Sequence, residues 1–212
     1  MVKFFSKGFF NFFSIFRRKK KISLGLYGPP NAGKSTLANK IVKDILGEDT
    51  TESFSVSSVE HETRSVQKVE KLVLKKDGKE LDFSLIDTPG IATKIDFEDF
   101  VKKGMKKNDA KERAKEATQG VIESIKWLDS VDAVIIVLDS STNPYTQVNI
   151  TLIGNLVAKD KKVIIAANKS DLKNSNLERI KLVFPDYLVI PISAKNGTGI
   201  EELYKGIFKE FH

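Results

Sequence analysis

The stretch that decides the fold runs from Ile22 to Ser35 and reads ISLGLY-GPPNAGKS. Its first part is a short apolar run typical of a buried strand, and a helical pattern, LANKIVKDIL, follows shortly after it. The part between, Gly28–Ser35, fits the pattern Gly-x-x-x-x-Gly-Lys-Ser, in which backbone N–H groups and a helix N-terminus surround phosphate oxygens. Because strand, loop and helix come in the order that this mechanism needs, the sequence predicts a phosphate-binding loop.

The polar groups of this loop have separate predicted roles. The Lys34 ammonium can reach the β- and γ-phosphate oxygens, and the Ser35 hydroxyl can ligate Mg²⁺. A glycine-containing turn without such a role is the alternative, and the motifs that follow argue against it. The remaining predicted contacts to phosphate come from Gly28, Asn31, Ala32, Gly33 and Thr36.

A second signal, Asp87-Thr88-Pro89-Gly90, follows the strand-like run Leu81–Ile86. A carboxylate at the carboxyl end of a strand can hold Mg²⁺ through water, and the Gly90 amide can approach a γ-phosphate. The same four residues are also ordinary turn chemistry, so their position after a strand is what makes them informative. We therefore expect Asp87 at a metal site and Gly90 beside the phosphates.

Two further apolar runs, Ala133–Leu138 and Val163–Ala167, are typical of parallel strands that are covered on both faces. The second run ends in Asn168-Lys169-Ser170-Asp171. A buried Asp171 carboxylate can accept hydrogen bonds from N1–H and the exocyclic amine of guanine, whereas adenine would leave it unpaired. The sequence therefore predicts selectivity for guanine.

A last strand-like run, Tyr187–Ile192, leads to Ser193-Ala194-Lys195, where a backbone N–H can meet the guanine O6 atom. Taken in chain order, GPPNAGKS, DTPG, NKSD and SAK resemble the motifs of the translation-factor-like GTPases, in particular the Era and TrmE group. The resemblance covers about residues 22–211. It implies an α/β GTP-binding domain with a six-stranded, mostly parallel sheet and helices on both faces.

The resemblance also implies a ligand, a metal and a reaction: GTP or GDP, Mg²⁺, and hydrolysis of GTP to GDP and phosphate. In the family pattern Asn168 and Asp171 read guanine, Lys169 covers the base and Ala194 offers its amide. A switch threonine binds Mg²⁺ only in the GTP state. Thr63 is our choice for it because it precedes the strand-like run Val66–Leu74. We expect an Asp77-Gly78 turn to join that run to the strand that ends at Asp87. Thr50 and Thr51 remain alternatives, as does a purely structural Thr63 at a strand edge.

The residue after Gly90 is Ile91, where Ras-like relatives place a glutamine that orients the attacking water. Isoleucine cannot form that hydrogen bond, so we expect slow basal turnover. TrmE-like enzymes share this departure and use K⁺, which a phosphate-loop asparagine helps to ligate. Asn31 stands at that position, which implies K⁺-assisted catalysis, and its alternative role is to stabilise a turn.

The charged segment 91–108 is long for a switch loop. We interpret it as an elongated second switch tethered to Gly90, with a solvated surface insertion as the alternative. A helical pattern follows it, and Asn108 or Asp109 is expected to cap that helix.

Composition limits the other possibilities. Without cysteine, disulfides, thiolate metal sites and thiol catalysis are excluded, and two histidines are too few for an imidazole-rich metal site. The net charge of +7 suggests binding to nucleic acid, but residues 1–21 carry seven basic and no acidic side chains, and residues 22–212 contain 28 of each sign. The basic character therefore belongs to one segment.

Residues 1–21 also hold seven of the 14 phenylalanines, in a pattern that predicts an amphipathic helix before the GTP-binding domain of residues 22–212. No apolar run here is long enough to span a bilayer. We expect this helix to bind an anionic membrane surface, which would place the protein in the cytoplasm at the inner face of a membrane. Packing on the chain's own domain or in a partner's groove is the alternative.

Two other functions remain open at this stage. The first is association with RNA or the ribosome through the basic segment, with phenylalanine rings stacking on bases. Era has a KH domain after its GTPase domain, and we expect none here because the chain stops after the helical pattern Ile200–Phe211. The second is a module that holds GTP without hydrolysing it.

Overall fold

The computed structural model describes residues 21–54, 66–90, 101 and 104–211. The N-terminal segment, Thr63 and most of the predicted second switch lie outside the described residues. Along the described residues, helices and strands alternate except at the second and third strands, which follow each other directly. Their bounds are β1 Ile22–Tyr27, α1 Lys34–Leu46, β2 Gln67–Lys76, β3 Lys79–Asp87, α2 Lys107–Trp127, β4 Ala133–Asp139, α3 Gln147–Ala158, β5 Lys162–Asn168, α4 Leu177–Val183, β6 Leu188–Pro191 and α5 Ile200–Phe211.

The strands form one six-stranded sheet in the order β2-β3-β1-β4-β5-β6. Every neighbouring pair is parallel except β2 with β3. The carboxyl ends of β1, β3, β4, β5 and β6 therefore lie along one edge, where the loops with the predicted motifs emerge. This confirms the expected α/β fold with its mostly parallel six-stranded sheet.

Burial on both faces explains why the central strands read as continuous apolar runs. In β4, Ile135 and Val137 belong to a core shared with α1 and α5, while Val134, Ile136 and Leu138 belong to a second core shared with α3 and α4. Alternate side chains of a strand point to opposite faces, so a strand with helices on both sides must be apolar throughout.

The β2–β3 hairpin turns at Asp77 and Gly78, whose φ angles are 50° and 73°. Two left-handed residues are what a two-residue hairpin loop needs, so the turn predicted from Asp-Gly is confirmed. A bulge at Lys71, which has a φ of 62°, shifts the register between Val69 and Leu72, and sequence alone gave no sign of it.

Helix α2 begins earlier than expected. Its N-cap is Lys106, without a side-chain hydrogen bond, so the prediction that Asn108 or Asp109 caps this helix is wrong. Asp109 instead lies in the first turn, where its negative charge is favourable beside the helix dipole. Helix termini are the least certain part of a pattern-based assignment, because the turn before the first apolar position can also be helical.

Among the described residues, no helix combines the length and the apolar character that crossing a bilayer requires.

Gly199 generates a stability prediction because a side chain has no room there. A Cβ on Gly199 would lie 2.1 Å from the Pro191 carbonyl oxygen, whereas Gly78 has the same φ of 73° and no atom within 4 Å of a Cβ. Both alanine variants incur left-handed backbone strain, but only Gly199→Ala adds a clash with backbone. We expect Gly199→Ala to lower the free energy of unfolding by about 2 kcal/mol more than Gly78→Ala does. Urea denaturation measures both, and equal losses would contradict the structure at this turn.

Candidate functional site

The loop between β1 and α1 lies at the carboxyl edge of the sheet. It contains three residues with positive φ, Gly28, Asn31 and Gly33, at 143°, 58° and 93°. A Cβ on Gly28 would lie 2.2 Å from the carbonyl oxygen of Val137 in β4, so only glycine lets the loop pass this close to the strand. The positive φ of Asn31 supports the turn role that was its alternative reading, and its side chain is exposed.

Lys34 begins helix α1 and is only 6% exposed. Its ammonium donates to the carbonyl oxygens of Gly28 at 3.3 Å and Pro29 at 3.0 Å, so it is turned back into the loop. Burial lowers the pKa of Lys34 to about 8, and the charge of Asp87 opposes that shift only in part. A desolvated cation without a direct carboxylate contact is suited to meet phosphate oxygens.

Asp87 is the last residue of β3 and is fully buried. Its Oδ2 atom accepts a hydrogen bond from the Ser35 hydroxyl at 2.5 Å, whereas Oδ1 is buried and has no hydrogen-bond partner among the described residues. Burial raises the pKa of Asp87, while Lys34 and the hydrogen bonds from Ser35 and Thr88 lower it. A hydroxyl beside a carboxylate with an unused oxygen is a donor set that fits Mg²⁺.

The Asp87–Gly90 turn packs against the phosphate loop, as the sequence predicts. Thr88 is buried and its hydroxyl donates to the carbonyl oxygen of Leu26 at 2.7 Å. A Cβ on Gly90 would lie 2.8 Å from the Cα atom of Pro30. The backbone of Gly90 is therefore held close to the loop that carries Lys34.

Asn168, the last residue of β5, joins two loops at the same edge. Its Nδ2 donates to the Ala32 carbonyl oxygen at 2.7 Å, and its Oδ1 accepts the Ala194 backbone N–H at 2.9 Å. A Cβ on Gly33 would lie 2.3 Å from this Nδ2 atom, so glycine makes room for the amide. The sequence indicated guanine recognition for Asn168 and Ala194 but missed this bridge, because its partners lie 136 and 26 residues away in the chain.

The two predicted base-binding loops also contact each other. The N–H of Ser170 donates to the Ile192 carbonyl oxygen at 3.0 Å, which fixes Asp171 near the Ala194 loop. Lys169 has a φ of 61°. Asp171, however, is exposed, so the expectation of a carboxylate buried by the protein is wrong. It lies in a loop beyond the end of β5, where a bound base would have to cover it.

The remaining site residues are placed as follows. Ser193 is 1% exposed, and its Oγ accepts the Asn196 N–H at 3.2 Å, which shapes the turn that presents Ala194. Lys195 is exposed and Thr36 is half-buried in the first turn of α1. The sequence placed all of these residues at the correct edge.

The threonine that could serve as a switch is not determined by the described residues. Thr50 Oγ1 accepts the N–H of Glu52 at 3.2 Å in a local turn, and Thr51 is exposed. Thr63 lies outside the described residues and stays a prediction.

A contact before the first switch, by which we mean the segment that contains the candidate threonine Thr63, was missed by sequence reasoning. The Asn39 side chain donates to the Phe54 carbonyl oxygen at 2.9 Å and accepts the Phe54 N–H at 2.6 Å. Phe54 is 3% exposed in the core. This two-bond contact ties the segment that leads into the first switch to helix α1, and no local pattern distinguishes Asn39 from any other polar helix residue.

Comparison with known proteins agrees with this geometry. A protein-family model described as "50S ribosome-binding GTPase" matches residues 23–169. GTPase Der of Saccharophagus degradans is 26% identical over 202 residues, which cover 92% of this chain and 37% of that protein. The chain thus spans little more than a third of the length of this relative.

Two solved structures of Era share the fold. Era of Aquifex aeolicus bound to GDP and aluminium fluoride has a TM-score of 0.60 and 24% identity, over 90% of this chain and 57% of that one. Era in complex with MgGDPNP and nucleotides 1506–1542 of 16S ribosomal RNA has a TM-score of 0.60 and 22% identity, with the same coverage. At these identities the likeness concerns the fold alone.

The family match covers most of the chain and includes the phosphate loop, the Asp87–Gly90 turn and the start of the Asn168 motif. On this match the protein belongs to the family described as 50S ribosome-binding GTPases and carries its GTPase domain.

Proposed function

We propose that this chain is a molecular switch that binds GTP and GDP with Mg²⁺ and hydrolyses GTP slowly to GDP and phosphate. The observation that carries the proposal is the meeting of three groups at one edge of the sheet. These are the buried Lys34 ammonium, the Ser35–Asp87 pair with an unused carboxylate oxygen, and the loops that Asn168 joins.

Each of these groups has a task in phosphoryl transfer. Lys34 neutralises the β- and γ-phosphates, and Gly90 presents its amide to the γ-phosphate. Ser35, Asp87 and, in the GTP state, Thr63 would hold Mg²⁺, which would supply positive charge beside the phosphates. Binding thus replaces the weak carbonyl contacts of Lys34 with ionic contacts, which favours the charged form of its ammonium.

The contacts of the Asp87–Gly90 turn support the predicted second switch. The Ser124 hydroxyl of helix α2 donates to the Pro89 carbonyl oxygen at 3.0 Å, and the Tyr27 hydroxyl donates to the Ser124 carbonyl oxygen at 3.1 Å. A movement of Gly90 toward a γ-phosphate would therefore reach α2 through buried hydrogen bonds. This supports the interpretation of residues 91–108 as a switch between Gly90 and α2.

The lowered pKa of Lys34 generates a prediction for the protein without nucleotide. Its native pKa of about 8 lies below the ordinary value of 10.5, so between these pH values the native state binds fewer protons than the unfolded state. The native state therefore becomes more stable with rising pH in this window. We expect Lys34→Met to be more stable than the native chain at pH 7, with an advantage that shrinks by up to about 3 kcal/mol between pH 8 and 10.5.

Urea denaturation at several pH values measures this difference. Replacement of the exposed Lys205 by methionine is the control, for which the difference should not change with pH in this way. A constant difference between Lys34→Met and the native chain would contradict the burial of this ammonium. The same Lys34→Met variant should lose GTP binding.

Guanine recognition is proposed for Asp171, with Lys169 and the Ala194 loop beside it. The exposed Asp171 carboxylate is free to accept the two adjacent donors of guanine, and a bound base would then exclude water from the pair. Adenine has no such donors and would leave a covered carboxylate unpaired.

We expect GTP to bind at least about 100-fold more tightly than ATP in titration calorimetry. Asp171→Asn turns one hydrogen-bond acceptor into a donor, so it should weaken the binding of GTP. It should strengthen the binding of xanthosine triphosphate, whose base has a carbonyl group where guanine has its amine. Asp186→Asn changes another carboxylate and should leave both affinities unchanged. Equal binding of ATP and GTP would remove the basis of the proposal.

K⁺ assistance is proposed for Asn31. Its side chain is exposed in the phosphate loop, which supports a role in ligating a cation beside the phosphates. A monovalent cation there would add positive charge beside the transferring phosphoryl group. Such help would matter because Ile91 cannot orient the attacking water.

Two variants of Asn31 distinguish a role in cation binding from a role in stabilising the turn. Asn31→Gly keeps the left-handed backbone without strain, whereas Asn31→Ala does not, and both remove the amide oxygen. We expect the native chain to release phosphate several-fold faster in K⁺ than in Na⁺, as for a charged group acting on the transition state. Both variants should lose the difference. Persistence of the K⁺ effect in Asn31→Gly would assign Asn31 to the turn alone.

Partners are proposed from two sources. The basic, phenylalanine-rich residues 1–21 support binding to an anionic membrane surface, at the cytoplasmic inner face. The family description and the Era complex with ribosomal RNA support association with the ribosome, for which the basic segment is a second candidate contact.

A comparison of the full chain with a variant that starts at Ile22 tests both partners. The full chain should float with vesicles that contain anionic lipid and should not float with neutral ones, and the shortened variant should float with neither. Sedimentation with ribosomal subunits, in the presence of a GTP analogue or of GDP, tests association with the ribosome. Equal flotation of the two forms contradicts the membrane contact, and loss of sedimentation in the shortened form would assign RNA binding to the segment.

A further inference from the structure

Asp139 and Lys169 form an ion pair at the guanine end of the site. The Lys169 ammonium lies 2.6 Å from Asp139 Oδ2. The lysine side chain is 34% exposed and the aspartate side chain 15%. Asp139 is the last residue of β4 and lies opposite Asn168 in the β4–β5 register, so the pair stands next to the amide that joins the two loops.

The Asp139 carboxylate is held on its other side as well. Oδ1 accepts the Ser141 backbone N–H at 2.9 Å and the Ser141 hydroxyl at 2.6 Å. Burial raises the pKa of Asp139. The hydrogen bonds from Lys169 and Ser141 together lower it by more than burial raises it, so the pKa is below its ordinary value. The carboxylate is therefore charged at neutral pH and fixed in orientation.

The Lys169 side chain is thereby fixed at both ends. At one end its backbone is in the left-handed region, with a φ of 61°, directly after Asn168. At the other end its ammonium is bound to a carboxylate that cannot turn freely. A lysine stem held in this way presents methylene groups as an apolar surface of defined position, and such a surface can cover the face of a purine.

We propose that Asp139 is a positioning residue for guanine binding, which acts by holding Lys169 where its stem covers the base. The proposal rests on the proposed role of Lys169 in the nucleotide site. It adds a requirement that the motif Asn168–Asp171 does not contain, because Asp139 belongs to a different strand. An unpaired Lys169 would have to be ordered at the expense of its conformational entropy each time a nucleotide binds.

The ion pair between Lys159 and Asp129 supplies a control. It has an N–O distance of 2.5 Å, and Asp129 lies in the turn before β4, at the edge of the sheet opposite the site. Asp129→Asn therefore removes an ion-paired carboxylate, in this case a 70% exposed one, from a place where no nucleotide contact is proposed. Asp139→Asn keeps the size of the side chain and an oxygen for the Ser141 N–H.

Dissociation of a fluorescent GDP analogue from the full-length chain is the measurement. We expect Asp139→Asn to release it about tenfold faster, the range of one charge-assisted hydrogen bond, and Asp129→Asn to release it at the native rate. The double variant Asp139→Asn with Lys169→Met should release it no faster than Lys169→Met alone. Ser141→Ala leaves the carboxylate present but freer to turn, and should accelerate release about threefold.

Binding of inorganic tripolyphosphate to the same variants separates positioning from general damage. A role confined to the base predicts native affinity for tripolyphosphate in Asp139→Asn, whereas a parallel loss of both ligands would overturn the proposal. Native GDP release by Asp139→Asn, together with faster release by Lys169→Met, would also overturn it. If Lys169→Met releases GDP at the native rate, the proposed role of Lys169 itself fails, and the inference about Asp139 fails with it.

Discussion

Two loops of this domain depend on the side-chain amide of Asn168. It is buried at the end of β5, donates to the phosphate loop through Ala32 and accepts from the base-binding loop through Ala194. A buried amide must satisfy its donors and acceptors, so the two loops are held at one distance as long as both bonds remain. The proposed phosphate-binding loop and the proposed base-binding loop are thereby held in register by one group.

The phosphate end of the site is electrostatically costly for the protein alone. Among the described residues, the buried Lys34 ammonium donates only to carbonyl oxygens, and the buried Asp87 carboxylate has one oxygen without a hydrogen-bond partner. Burial lowers the pKa of Lys34 and raises the pKa of Asp87, so in each case it favours the neutral form of the group. A bound metal and phosphates would relieve both costs together, which makes the stability of this edge depend on the ligand and suits it for a switch.

The sequence predicted the parts of the fold that local patterns encode. The β1 and α5 bounds follow from an apolar run and an amphipathic pattern, and Asp77-Gly78 specified its hairpin turn. The N-terminus of α2 and the bulge at Lys71 were not predicted, because both depend on how a segment fits its neighbours. Of the site, the structure brings the motif residues to one edge of the sheet, and their binding roles stay predictions. The predicted burial of Asp171 was wrong, because burial is set by the surrounding loops.

The sequence by itself determined the chemistry and order of the site, since loop, carboxylate and base-binding residues are short contiguous motifs. Tertiary structure decided how these motifs support one another. The contacts of Asn168 with Ala32, of Asn39 with Phe54 and of Asp139 with Lys169 join residues 136, 15 and 30 positions apart. Such contacts form only when strands pair and loops converge at a common edge, so local sequence patterns cannot predict them.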